Sequence, residues 1–151
     1  MPFLKFTTDK TVSRLRWLML GVILFDNINT LAGQPGIYWQ HPETVQEGNH
    51  LTHFFISRGW MLFCLYEVGY MAGTFFLASI VPRPLALVVM FAFIFGHYYG
   101  ASTWLADRWH FGTQGTVIYG IILAVAVVWL AFPPSGNTKT GGGERGKGTS
   151  I

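Results

Sequence analysis

Two carboxylates and one imidazole stand inside otherwise apolar stretches of this chain: Asp26 in "FDNINTLAG", Glu67 in "LYEVGYMAG" and His97 in "FGHYYG". A carboxylate within reach of an imidazole is a common arrangement for general acid–base chemistry. Two carboxylates whose surroundings separate their pKa values can divide the roles of acid and base between them. Isomerisation or epoxide opening of a lipophilic substrate would suit such a set, and neither needs a cofactor. Asp26, Asn29 and Thr30 are spaced i, i+3, i+4 and so share one helix face. Together with Arg58, Tyr66 and Trp104, Asn29 and Thr30 are the candidate ligand contacts. A second set is Glu47, His50 and His53, spaced i, i+3, i+6. A carboxylate with imidazoles can hold zinc, copper or iron, and His97 or His110 could add a further ligand. The set contains no HExxH and no pair of histidines four apart. For each of these residues the competing role is structural: a buried pair that fixes helix packing, or a solvated loop.

These residues need a scaffold, and composition says which kind. The chain has 151 residues, 51% hydrophobic, 17% aromatic and only 11% charged. Soluble domains carry about 25% charged residues, so the deficit points to a membrane protein. The formal charge of +3 comes from basic residues that flank apolar runs, which does not suggest nucleic acid. A lone cysteine, Cys64, excludes an internal disulfide and a CxxC motif. No GxSxG surrounds Ser57 or Ser102, and there is no phosphate-cradling loop.

A membrane span needs about 20 mostly apolar residues. Four segments qualify, at about 15–32, 54–80, 85–105 and 115–132. The expected fold is an all-α, four-helix membrane bundle over residues 1–134, followed by a flexible Gly-rich tail over 135–151. "VPRP", Val81 to Pro84, is a tight connection, since prolines do not sit in helix interiors. "GYMAG", Gly69 to Gly73, is a GxxxG packing motif. Lys5, Lys10, Arg14, Arg16, Arg83, Lys139, Arg145 and Lys147 share one side if both termini do, leaving Arg58 and Arg108 opposite. The positive-inside rule then puts both termini in the cytoplasm. A cleaved signal peptide ending near Thr30-Leu31-Ala32 would need an unusually long basic region, so the first segment is expected to persist as a span.

This topology gathers the polar residues. His41, His50, His53, His97 and His110 all fall in the outer half or the outer loops, with Asp26, Glu43, Glu47, Asp107 and Arg108. The inner half is almost purely apolar. At a rise of about 1.5 Å per residue, Asp26 lies roughly 9 Å and His97 roughly 12 Å inside the outer boundary, so the two can share a layer. His97, Gly100, Ala101 and Trp104 share a face of the third span, whose small residues allow close helix approach. Tyr38 and Trp39 suit an interfacial aromatic belt.

Two resemblances rest on these residues. "DNINT" followed by "EGNHL", that is Asp26-x-x-x-Thr30 and then Glu47-x-Asn49, resembles small, largely uncharacterised prokaryotic membrane proteins with an Asp-x-x-x-Thr helix and a Glu-x-Asn-Pro start to the next span. Here His50 stands in place of the proline. That resemblance implies a four-helix fold, and with it a bacterial inner membrane, but no activity. "RPLALVVMFAFIFGHYYG", Arg83 to Gly100, and "WLAFP", Trp129 to Pro133, are similar to the last two helices of the EXPERA domain of sterol isomerases and sigma-2-type receptors. That likeness implies a bundle binding lipophilic ligands through buried carboxylates, with Asp26 and Glu67 standing for the acids. An ungapped alignment puts Met61 rather than Glu67 at the expected acid, and Ala126 where an amide is expected.

Three functions follow. The leading one is a non-catalytic subunit or ligand-binding component of a membrane complex, its polar layer holding a lipid, quinone or pigment and its apolar surface meeting a membrane-protein partner or a second copy. The second is the cofactor-free acid–base enzyme built on Asp26, Glu67 and His97. The third is metal handling on the outer face by Glu47, His50 and His53.

Overall fold

The structure, a computed structural model, describes residues 9–108 and 112–132. Among the described residues all regular structure is helical: α1 (Lys10–Ala32), α2 (His50–Ile56), α3 (Trp60–Ile80), α4 (Arg83–Asp107) and α5 (Gly112–Ala131), with 3-10 turns at Gly36–Trp39 and Pro42–Thr44. Four of them, α1, α3, α4 and α5, are long and apolar enough to cross a membrane. The tail 135–151 and His110 lie outside the described residues. The end of the bundle that holds Lys10, the α3–α4 turn and Ala131 is called the inner end below, and the opposite end the outer.

Local chemistry sets the helix limits. Asp9 caps α1, its carboxylate accepting from the Thr11 N–H at 2.8 Å and the Val12 N–H at 3.2 Å. These bonds, with the Arg83 guanidinium nearby, hold the Asp9 carboxyl below its usual pKa. Arg83 Nε also donates to Asp9 Oδ2 at 2.9 Å, which ties the start of α4 to the start of α1 and makes those helices parallel. Pro82 and Pro84 sit at the N-cap and in the first turn of α4, where a missing N–H costs nothing. The segment expected as one span from 54 to 80 is broken. α2 ends at Ile56, and Gly59 takes φ 121° before α3 starts at Trp60. That backbone region is open to glycine and strained for other residues, and apolar content alone does not reveal the break.

α1 is the central helix, packed on α3, α4 and α5. Val12, Leu15, Met19, Ile23, Met90 and Ile94 are fully buried in one inner cluster. α5 is peripheral: Leu123 is its one buried residue, and Ile118, Ile121, Ile122 and Val125 are all exposed. A helix apolar all round suits a lipid environment. Among the described residues nothing packs on Gly69 or Gly73, since a Cβ at either would meet nothing within 4 Å. The inner half is also less apolar than its sequence reads. Arg16 is buried against Ser79, to which Nη1 donates a hydrogen bond.

The long loop after α1 is folded down on the bundle. Gln34, buried, donates from Nε2 to the Thr30 carbonyl at 2.9 Å and to the Gln46 carbonyl at 3.2 Å, while Gln46 N–H donates to Gln34 Oε1 at 2.9 Å. Tyr38 is buried rather than part of an aromatic belt; its hydroxyl donates to the Ile56 carbonyl at 3.1 Å. Burial raises the Tyr38 pKa. Trp39, by contrast, is exposed. These ties place the segment from Gln46 to Thr52 over the outer end of the bundle.

Candidate functional site

Beneath that segment lies a cavity of about 750 Å³ walled by α1, α3, α4 and the loop. That volume is within the usual range for small-molecule sites. Asp26, Thr30, Glu47, Asn49, Glu67 and His97 all line it. Two sequence signatures about twenty residues apart, Asp26-x-x-x-Thr30 and Glu47-x-Asn49, therefore face one space. Ala92, Gly96, Tyr99 and Thr103 line the cavity from positions exposed on α4, so it opens sideways as well as under the loop.

The polar layer is hydrogen-bonded across three helices. His97 Nδ1 lies 2.8 Å from Asp26 Oδ2, and His97 Nε2 lies 3.1 Å from the Tyr70 hydroxyl. With Asp26 ionised, the carboxylate can only accept. Nδ1 then carries the proton, and Nε2 accepts from Tyr70. The matched depth of Asp26 and His97 is thus realised as a direct bond. One residue on, Asn27 Nδ2 donates to Glu67 Oε2 at 2.8 Å. Successive residues of α1 diverge by about 100°, so Asp26 serves α4 while Asn27 serves α3.

Gly100 makes the α1–α4 approach possible. A Cβ there would stand 2.7 and 2.8 Å from the two Asp26 carboxylate oxygens. Only a residue without a side chain leaves room for the acid. Gly33 does the same for Trp104, whose ring would come within 2.4 Å of a Cβ. Trp104 and Tyr66 both line the cavity, and Tyr66 stacks on Phe55 with ring centroids 4.1 Å apart.

Other expected site residues stand elsewhere. Asn29 shares a helix face with Asp26 and Thr30 but is turned back: Nδ2 donates to the Phe25 carbonyl of its own helix at 2.7 Å, a local competition typical of Asn. Arg58 is exposed, donating to the Phe54 carbonyl at 2.6 Å and lying 3.5 Å over the Phe54 ring; it makes no contact with Asp26. Glu47, His50 and His53 do not converge. Glu47 faces the cavity and accepts from the Asn49 N–H at 2.7 Å, while both histidines are exposed. Asn49 in turn caps α2, accepting from Leu51 and Thr52, so the Glu-x-Asn pair first of all shapes a helix start. Among the described residues no three His, Cys, Asp or Glu side chains group as metal ligands. Burial raises the Glu47 pKa, with the Asp26 charge adding to the shift and hydrogen bonding to Asn49 opposing it.

Three contributors escape a sequence reading: Asn27, Tyr70 as the second partner of His97, and Gln34 as the loop tie. Asn27 and Tyr70 each carry a partial signal, being polar groups within one helical turn of a buried ionisable residue. Gln34 carries none. Comparison of the chain with family models, curated proteins and solved structures finds no match.

Proposed function

We propose that the protein is a multi-pass membrane protein, both termini cytoplasmic, whose outward-facing cavity binds a lipophilic small molecule with a polar head. The observation that carries this reading is the convergence of Asp26, Thr30, Glu47, Glu67 and His97 on one cavity, in a bundle whose long helices leave many large apolar side chains exposed. Polar groups at that depth are costly unless they are paired or they serve a ligand. The sideways opening between α3 and α4 supports loading from the lipid phase. Tyr66, Phe93 and Trp104 supply apolar wall and the carboxylates supply acceptors for the head. The open Gly69/Gly73 face of α3 supports the further element of this reading, contact with a helix of a partner protein or a second copy.

The test is retention. Wild-type protein purified in mild detergent is expected to carry an organic-extractable compound in near-stoichiometric amount, detected by native mass spectrometry. Glu67→Gln and Asp26→Asn should lose it while keeping helicity and monodispersity. Equal retention by all three proteins overturns the reading.

One observation favours a second reading, turnover by acid–base chemistry. The Asp26–His97–Tyr70 chain aligns a proton path that ends at the cavity wall, and Glu67 shares that cavity with a different partner. If the retained compound is converted slowly by wild-type protein, and Tyr70→Phe retains it without converting it, the site is catalytic. If conversion is the same in both, it is not.

A further inference from the structure

The inner end of the bundle holds a buried cation, Arg16, with no anion beside it among the described residues. Arg16 is 8% exposed. Among the described residues its guanidinium makes one side-chain hydrogen bond, from Nη1 to Ser79 Oγ, and its carbon lies 5.0 Å from the centroid of the Phe75 ring. Nε is buried and has no partner among the described residues. Ser79 is a neutral acceptor, because its own proton goes to the Phe75 carbonyl at 2.7 Å. The nearest carboxylate in sequence, Asp9, is committed to the α1 cap and to Arg83. No ion pair to Arg16 exists among the described residues. A desolvated guanidinium costs more than a hydroxyl and a ring face return, so the described residues leave the site short of one negative charge.

Position says where that charge comes from. Arg16 is about six residues past the start of α1, roughly 9 Å along its axis, and Ser79 is in the last turn of α3. Trp17, the next residue, is 65% exposed and packs on Phe75 at 5.5 Å, the placement of an interfacial tryptophan. Lys10 and Arg83 stand at the same end and are exposed. A basic patch between helices at headgroup depth is complementary to a phosphate carried on a lipid. The guanidinium fork suits two phosphate oxygens better than an ammonium does.

We propose that Arg16, where it meets Ser79 between α1 and α3, binds the phosphate of an anionic phospholipid. The proposal rests on the membrane reading above and is independent of any role for the cavity. Alkaline-carbonate extraction tests insertion separately: release of the protein from membranes would sink that reading, whereas loss of lipid preference alone sinks only this one.

The experiment uses the full chain, delipidated in mild detergent and titrated with phosphatidylglycerol, with phosphatidylcholine and, in a separate arm, with inorganic phosphate, read by native mass spectrometry and thermal shift. Phosphatidylglycerol is expected to bind about tenfold tighter than phosphatidylcholine, a difference of about 1.4 kcal/mol. Arg16→Gln should abolish that preference, and Arg14→Gln on the exposed face should keep it. Inorganic phosphate at the same concentration should neither stabilise nor compete. The proposal fails if Arg16→Gln keeps the preference, if Arg14→Gln loses it equally, or if inorganic phosphate substitutes for the lipid. Should Arg16→Gln not fold, wild-type protein with a photoactivatable phosphatidylglycerol decides. Adducts concentrated near Trp17, Phe75 and Ser79 support the site, and adducts spread evenly over both ends of the bundle overturn it.

Discussion

At the inner end, α1 and α4 meet through Leu15, Met19, Met90 and Ile94, all fully buried. At the outer end the same two helices meet through a glycine and a carboxylate, Gly100 against Asp26, and beside that contact lies the cavity. The inner contact is apolar and filled. The outer one spends the same helix face on hydrogen bonds and leaves a void. On the proposed membrane reading the apolar contact would be held by packing rather than by exclusion of water. Stability should therefore be concentrated at the inner end, and the capacity to change or bind at the outer.

Substitutions at the two ends can break that contrast, and the largest effect is expected inside. Met90→Ala should destabilise the protein by about 2–3 kcal/mol, mostly through the cavity it leaves, measured by unfolding in mixed micelles. A smaller cost than at Gly100 would reverse the assignment of the stable end. Gly100→Val should cost about 1–3 kcal/mol by overpacking, and should also abolish ligand retention by displacing Asp26. Retention unchanged in Gly100→Val would show that the α1–α4 approach does not define the site. Tyr70→Phe removes one interhelical bond and should cost only about 0.6 kcal/mol, so a loss of ligand or turnover in this variant reports on function rather than on folding.

The smallest effects concern pH. Burial raises the Glu47 pKa, so the folded state holds the Glu47 proton more tightly than the unfolded state does. Stability should fall as pH rises from the ordinary glutamate value toward the raised one, and Glu47→Gln should flatten that segment of the curve. Asp9 has the opposite sign. Its lowered pKa gives stability that is present above the unfolded value and lost as pH falls through the folded one. Asp9→Asn keeps a capping oxygen and should remove that acid-side loss. An unchanged acid limb in Asp9→Asn would locate the sensitivity at another carboxylate.

Much of this arrangement is legible from residue types. The four apolar runs, the proline turn at Val81–Pro82 and the outer gathering of Asp26 and His97 follow from hydropathy, from the missing proline N–H and from helical rise; Glu67 reads as mid-span when 54–80 is taken as one helix, and joins them because α3 begins only at Trp60. Asp26 and His97 could be placed at one depth because α1 and α4 are both straight runs counted from the same end. The break at Gly59 was not legible, because glycine allows a positive φ without requiring it. Nor was the turning back of Asn29, since a shared face fixes direction but not whether an amide bonds outward or to its own helix.

The sequence by itself determined the four long apolar helices and the end at which most polar residues collect, because these depend on hydropathy and on helical rise. Only the tertiary structure decided the pairing: Asn27 with Glu67, Tyr70 behind His97, Glu47 folded over the cavity by Gln34, and Arg16 against Ser79. Each pairing joins positions far apart in the chain through contacts of a few ångströms. Helix rotation and loop path set such distances, and neither leaves a mark in composition or spacing.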